Sequence, residues 1–122
     1  VVAVESDERM ADDARARLAR LKITNVDVQH TTSLADGYAL SAPYDIILIC
    51  GAVARIPESL GVQLALGGKL LAIRHAVSEP LVDGLGKGVV VTRMGGQLQW
   101  REHFDAAAAL LPGFEADNAF RF

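Results

Sequence analysis

Apolar and polar positions change period twice within the first thirty residues. Val1 to Glu5 (VVAVE) is an apolar run closed by a carboxylate, the pattern of a short buried strand. Ser6 and Asp7 follow as two candidate helix N-caps, and Met10, Ala14, Leu18 and Leu21 then recur on one helical face. Asn25 to His30 returns to alternation, with Val26, Val28 and His30 on one side. Strand, helix and strand with short connections predict a β-α-β unit and its right-handed crossover.

Thr31 to Pro43 is loop-like, with room for one helical turn. Tyr44 to Cys50 (YDIILIC) is a near-continuous apolar run, which predicts a strand covered on both faces by helices. Pro57 suits the first turn of a helix, IPESLGVQLAL, ending at Gly67-Gly68, where a left-handed cap is inexpensive. Lys69 to His75 predicts the next strand, and Ser78 to Leu85 a short helix. Gly88 to Met94, the Gly95-Gly96 pair and Gln97 to Phe104 then form the strongest hairpin signal in the chain. The tail from Asp105 to Phe122 reads as irregular, anchored by Phe114, Phe120 and Phe122. No internal repeat or linker interrupts this order.

Composition narrows the classes. With 122 residues, 51% of them hydrophobic, the chain can build one core and predicts one domain rather than two. A net charge of -3 predicts no polyanion and hence no nucleic-acid partner. The Arg15, Arg17, Arg20, Lys22 cluster falls at the end of the predicted helix, where it suits the dipole and predicts a solvated face. The single cysteine, Cys50, can form no internal disulfide; closing an apolar run, it is expected to be a buried, inert thiol in a reducing cytoplasm. No apolar stretch approaches a membrane-spanning length and no signal-peptide pattern opens the chain, so the expectation is a soluble cytoplasmic protein with no membrane partner.

Glu5 is the first candidate for chemistry, since a carboxylate at the C-terminal end of a parallel strand can accept both hydroxyls of an adenosine ribose. The alternative is a solvated helix-start acid beside Asp7 and Glu8. His30, His75 and His103 lack a carboxylate or cysteine partner at ligand spacing, so no metal site is expected. Arg74 and His75 close a predicted parallel strand, where a cation could attract a substrate carboxylate or simply be solvated. Trp100 reads as a packing residue rather than an adenine stacker, and Gly95-Gly96 as a turn rather than a phosphate loop.

Further along, Ala42-Pro43-Tyr44-Asp45-Ile46-Ile47 is followed by Ile56-Pro57, Leu60, Gln63-Leu64 and Leu66-Gly67-Gly68-Lys69-Leu70. Together with the Val-Glu strand, Ala14-Arg15, Leu18, Asn25-Val26 and Gly37, this order resembles the protein-L-isoaspartate O-methyltransferase family, a branch of the Rossmann-like S-adenosylmethionine-dependent methyltransferases. The resemblance covers most of the chain. It implies an α/β fold, with residues 1–122 as a single unit: the C-terminal part of a Rossmann-like methyltransferase domain, lacking its first strand and glycine loop and ending in an antiparallel hairpin. It implies S-adenosyl-L-methionine as cofactor and, as partner, a protein or peptide carrying isoaspartyl residues, whose free α-carboxylate is methylated to an ester that can collapse to a succinimide. The cofactor-binding positions it implies are Glu5, Ser6, Thr32, Ser33 and Gly51, and the substrate-binding positions Ala52, Arg74 and His75. No catalytic acid or base is implied, because a carboxylate nucleophile is already ionised at neutral pH and needs alignment and exclusion of water.

Three departures surround one pocket. Thr32-Ser33-Leu34 stands where the family usually has Gly-Asp-Gly, so a hydroxyl replaces an acidic contact to the adenine amino group. Gly51-Ala52-Val53-Ala54-Arg55 replaces a longer loop that contains alanine and proline, and Ile73-Arg74-His75 replaces Pro-Val-Gly. These changes define a rival reading, a catalytically degenerate methyltransferase fold kept as a binding or scaffolding module. A nicotinamide dinucleotide domain is a second rival, opposed by the Ala-Pro-Tyr-Asp stretch and the terminal hairpin.

The family's strand order places the absent strand between the one ending at Glu5 and the one containing Asp45. Its absence would open two apolar edges, which proteins normally avoid. Direct pairing of the two strands, or filling of the gap through a homo-oligomer, is therefore expected. A single chain with a split sheet and both inner edges open would overturn that expectation.

Overall fold

The computed structural model describes residues 1–75 and 85–115 of the chain. β1 (Val2–Glu5) and β2 (Asp27–His30) pair in parallel, from Val2 opposite Asp27 to Glu5 opposite His30, with α1 (Glu8–Arg20) as the crossover. Asp7 is the N-cap, its Oδ1 accepting from the Met10 amide at 3.0 Å. Glu8 in the first turn and Arg17 and Arg20 in the last complement the helix dipole. The inward face is narrower than the predicted one: Ala11 is buried and Ala14 and Leu18 half-buried, while Met10 and Leu21 are exposed. Arg15 departs from the expected solvated cluster. Its Nε and Nη2 donate to the Val28 carbonyl at 3.2 and 2.8 Å and its Nη1 to Asp12 at 2.8 Å, which braces the helix against the strand.

Two 3-10 helical turns, Leu34–Asp36 and Ala39–Ser41, occupy the connection to β3 (Tyr44–Val53). α2 (Glu58–Gly61), β4 (Leu64–His75), β5 (Leu85–Met94) and β6 (Gln97–Ala107) follow. The second sheet has the order β3-β4-β5-β6, parallel between β3 and β4 and antiparallel across the rest. The hairpin turns at Gly95, whose φ of 63° suits glycine.

The predicted helix through Leu66 is corrected to a single turn. Leu64 pairs with Tyr44, and the Tyr44 amide donates to the Gln63 carbonyl at 2.8 Å, so strand pairing overrides the helical spacing of VQLAL. Gly67 and Gly68, read as a helix cap, lie inside β4 at a register shift. A Cβ at Gly68 would meet the Ala65 and Tyr44 carbonyl oxygens at 2.8 Å. Of the predicted helix from Ser78 to Leu85, residues 78–84 lie outside the described residues and Leu85 opens β5.

Ile49, Val53, Leu60, Leu64, Leu70, Ala72, Val89, Val91 and Phe114 form the core on one face of the four-stranded sheet. Phe114 anchors the tail as expected, whereas Phe120 and Phe122 lie outside the described residues. The opposite face corrects the prediction of a doubly covered strand. Ile46 and Leu48 are 67% and 65% exposed and Phe104 63%, and Cys50, on the same side of the alternation, is an exposed thiol rather than a buried one.

The sheet is split. β1 and β2 form one ladder and β3 to β6 another, so the expected direct pairing of β1 with β3 is corrected: among the described residues no strand joins the two ladders. No helix among the described residues is long and apolar enough to cross a membrane.

Candidate functional site

β1 lies in a parallel pair with β2, and β3 in a parallel pair with β4; the C-terminal ends of β1, β3 and β4 carry residues singled out from the sequence. At the end of β1 the Glu5 carboxylate folds back over the chain. Its Oε1 accepts from the amides of Ser6 at 2.8 Å and Asp7 at 3.0 Å. His30, opposite Glu5 in the ladder, donates from Nε2 to the Ser6 carbonyl at 3.2 Å, so the Ser6 backbone is held on both sides. Among the described residues no group of three His, Cys, Asp or Glu side chains is placed to hold a metal ion.

The Thr31 amide donates to the Glu5 carbonyl at 3.0 Å, which ties the following turn to the end of β1. Thr31 Oγ1 meets both the amide and the carbonyl of Ser33, at 3.2 and 3.3 Å. Thr32 is exposed. Ser33 is half-buried, and its side chain makes no capping bond to the 3-10 turn that it precedes. Glu5 and Ser6 are thus brought close to the turn that carries Thr32 and Ser33, with one carboxylate and three hydroxyls among the four side chains.

The remaining positions lie on the other ladder. Gly51 and Ala52 are covered by the segment after β6. Ala52 is fully buried, its amide donates to the Ala109 carbonyl and its carbonyl accepts from the Leu111 amide, both at 2.9 Å. The Leu111 side chain lies where a Cβ on Gly51 would project, 2.5 Å from it. Arg74 is exposed with its guanidinium 5.5 Å from the Trp100 ring centre, a cation-π distance. His75 donates from Nε2 to the Ala108 carbonyl at 3.1 Å. Among the described residues no strand pairing joins this group to the Glu5 group.

Between the two runs the segment from Thr31 to Tyr44, held by side chains whose importance sequence reading missed. Gln63 is 6% exposed; its Oε1 accepts from the Tyr38 amide at 3.1 Å, and its Nε2 donates to the carbonyls of Asp36 at 2.8 Å and Ser59 at 2.9 Å. Ser59 Oγ donates to the Ala35 carbonyl at 2.6 Å, and the Tyr44 hydroxyl donates to the Tyr38 carbonyl. Burial raises the Tyr44 pKa above the ordinary phenol value. The only available signal was a glutamine inside the apolar stretch VQLAL.

Residues 1–81 match the family model described as protein-L-isoaspartate(D-aspartate) O-methyltransferase. The chain belongs to this family. Protein-L-isoaspartate O-methyltransferases of Rhodopseudomonas palustris and Methanoculleus marisnigri are 41% and 42% identical over 71 and 72 residues, covering 58% and 59% of this chain. That of Alkalilimnicola ehrlichii is 31% identical over 101 residues, 83% of this chain. The matches span 32% of each of the first two relatives and 43% of the third, so the chain matches well under half of each methyltransferase.

The fold is that of the same methyltransferases. A solved protein-L-isoaspartate O-methyltransferase superposes with a TM-score of 0.82 at 20% identity, over 94% of this chain and 35% of its own. A Plasmodium falciparum structure described as a beta-aspartate methyltransferase in complex with S-adenosyl-L-homocysteine gives 0.70 at 18%, over 93% and 52%. Each superposition takes in more than nine-tenths of this chain and so includes residues of both ladders.

Proposed function

We propose that this chain is the C-terminal part of a longer, cytoplasmic S-adenosylmethionine-dependent methyltransferase domain that esterifies the α-carboxylate of isoaspartyl residues in damaged proteins. The observation that carries this reading is the Glu5 carboxylate at the end of a parallel strand, beside the Thr32-Ser33 turn, in a chain of this family. Two amides converge on its Oε1, which fixes the carboxylate and leaves Oε2 to accept a ribose hydroxyl. The neighbouring Ser33 hydroxyl suits the adenine edge as a neutral partner. These groups fit the ribose and adenine of the cofactor; a glycine loop for its other end would come from outside these residues.

The bound cofactor supplies a sulfonium methyl group. Accepted by the already ionised substrate carboxylate, that methyl would leave a neutral thioether behind and require no proton transfer from the chain. The chain's contribution is therefore binding and orientation. Arg74, at the end of β4, is the candidate to attract the substrate carboxylate, with Trp100 holding its guanidinium from one side. Ala52, buried beneath the 109–111 segment, contributes to the wall that carries Arg74 and not a direct contact.

The open edges of β1 and β3, and the apolar face of Ile46, Leu48 and Phe104, are surfaces for the rest of the same domain; closure by a second copy is the competing arrangement. The 122 residues alone are then inactive. The test is methyl transfer by the full-length protein to an isoaspartyl peptide and to its aspartyl isomer. Transfer to the first alone supports the proposal. Failure to bind cofactor, by a folded full-length protein, would overturn the proposal in favour of a degenerate fold.

A further inference from the structure

We propose that Gln63 is a positioning residue for the adenine end of the cofactor, acting through the segment that carries Thr32 and Ser33. The inference rests on the function proposed above and adds a residue that the cofactor itself does not touch.

The segment is fixed at two points. Upstream, the Thr31 amide bonds to the Glu5 carbonyl and so to the first ladder. Downstream, the Gln63 amide group grips Asp36 and Tyr38 and so joins the segment to the second ladder. Ser33 lies between these anchors, three residues before Asp36. The Gln63 group is nearly saturated: one acceptor oxygen faces an N–H and both amide hydrogens face carbonyls, an arrangement that only the amide supplies. Its third bond, to the Ser59 carbonyl, satisfies a group left open where α2 stops after one turn.

The segment is also closely packed. Gly37 has φ 61°, and a Cβ there would meet Leu60 Cδ2 at 2.7 Å and Gln63 Oε1 at 2.8 Å. Leu34 and Ala35 rest against the core, and Ser59 holds the Ala35 carbonyl. Releasing the Gln63 end restores conformational freedom to the residues around Ser33, a cost that the cofactor must then meet on binding. Peptide recognition, which the proposal assigns to the end of β4, is not coupled to this anchor.

The experiment uses the full-length protein, with S-adenosylhomocysteine binding by calorimetry and initial rates on an isoaspartyl peptide. Gln63→Ala is expected to raise the Kd for S-adenosylhomocysteine and the KM for the methyl donor by about tenfold, with the peptide KM unchanged. Combining it with Ser33→Ala should give less than the product of the two separate effects, because both act on one contact. Gln63→Glu should not rescue, since a carboxylate presents oxygen to the Asp36 and Ser59 carbonyls.

Val91→Ala, in the core on β5, is the stability control: a comparable loss of unfolding free energy there should leave the Kd unaltered. Should Gln63→Ala not fold, Ser59→Ala removes only the Ala35 tether and should show the same selective weakening on a smaller scale. An unchanged Kd in the folded Gln63 variant, or equal weakening by Val91→Ala, overturns the inference alone. Absence of S-adenosylhomocysteine binding by the unsubstituted protein overturns the functional reading beneath it.

Discussion

Replacing Gly37 with alanine should be among the most damaging single-methyl changes in the chain. Gly37 has φ 61° and ψ -141°, a region that is essentially glycine's own, and holding another residue there costs roughly 1–3 kcal/mol. The added methyl would also sit 2.7 Å from Leu60 Cδ2 and 2.8 Å from Gln63 Oε1, both on buried residues. Displacing the glutamine strips the Tyr38 amide of its partner, worth a further ~1–3 kcal/mol for a buried group. Taking the lower half of each range gives about 3 kcal/mol in total. Gly95→Ala is the matched control, with φ 63° and nothing within 4 Å of the added Cβ, so only the backbone term of about 1 kcal/mol applies. Urea denaturation, read as midpoint shifts at constant slope, measures both. Equal losses at the two glycines would refute the packing argument around Gln63.

Three further outcomes follow from particular contacts. Leu70→Ala, at a fully buried position in β4, should cost about 2–5 kcal/mol, whereas Leu48→Ala, 65% exposed, should cost under about 0.5 kcal/mol in the 122-residue chain and several times more in the full-length protein if the rest of the domain covers that face; denaturant melts of both lengths check this. Ser33→Asp should tighten S-adenosylhomocysteine binding by the full-length protein, by roughly tenfold if a charged acceptor for the adenine amino group is restored, as titration would show. The Lys87 ammonium is held above its ordinary pKa, first by its hydrogen bond to Asp105 and then by that carboxylate's charge, so Asp105→Asn should lower the Lys87 titration midpoint seen by NMR. Because the folded value is the raised one, this contribution is present at neutral pH and is lost as pH rises through it.

Local signals and long-range ones were unequally legible. Gly95-Gly96 between alternating runs marked the hairpin, and Ser6-Asp7 before a helical period marked the start of α1, because each depends on a few adjacent residues. The end of α2 was not legible: Leu64 and Leu66 fit a helix as well as a strand, and the choice was made by pairing with Tyr44, twenty residues earlier. The exposure of Ile46, Leu48 and Cys50 was equally hidden. YDIILIC reads as a strand buried on both faces, but one cover is not supplied by the described residues. At the candidate site, Glu5 was placed by its position at a strand end, whereas Gln63 was named only as part of a pattern. Its role depends on partners 25 and 27 positions away at Tyr38 and Asp36.

The most direct test of the central claim is calorimetric titration of S-adenosylhomocysteine into the full-length protein and, in parallel, into the 122-residue chain. Saturable one-to-one binding by the full-length protein, lost in the shorter chain, is the predicted result, because the Glu5 and Ser33 side supplies only part of the pocket. A folded full-length protein that takes up no S-adenosylhomocysteine would contradict the account, leaving the family membership as ancestry without activity.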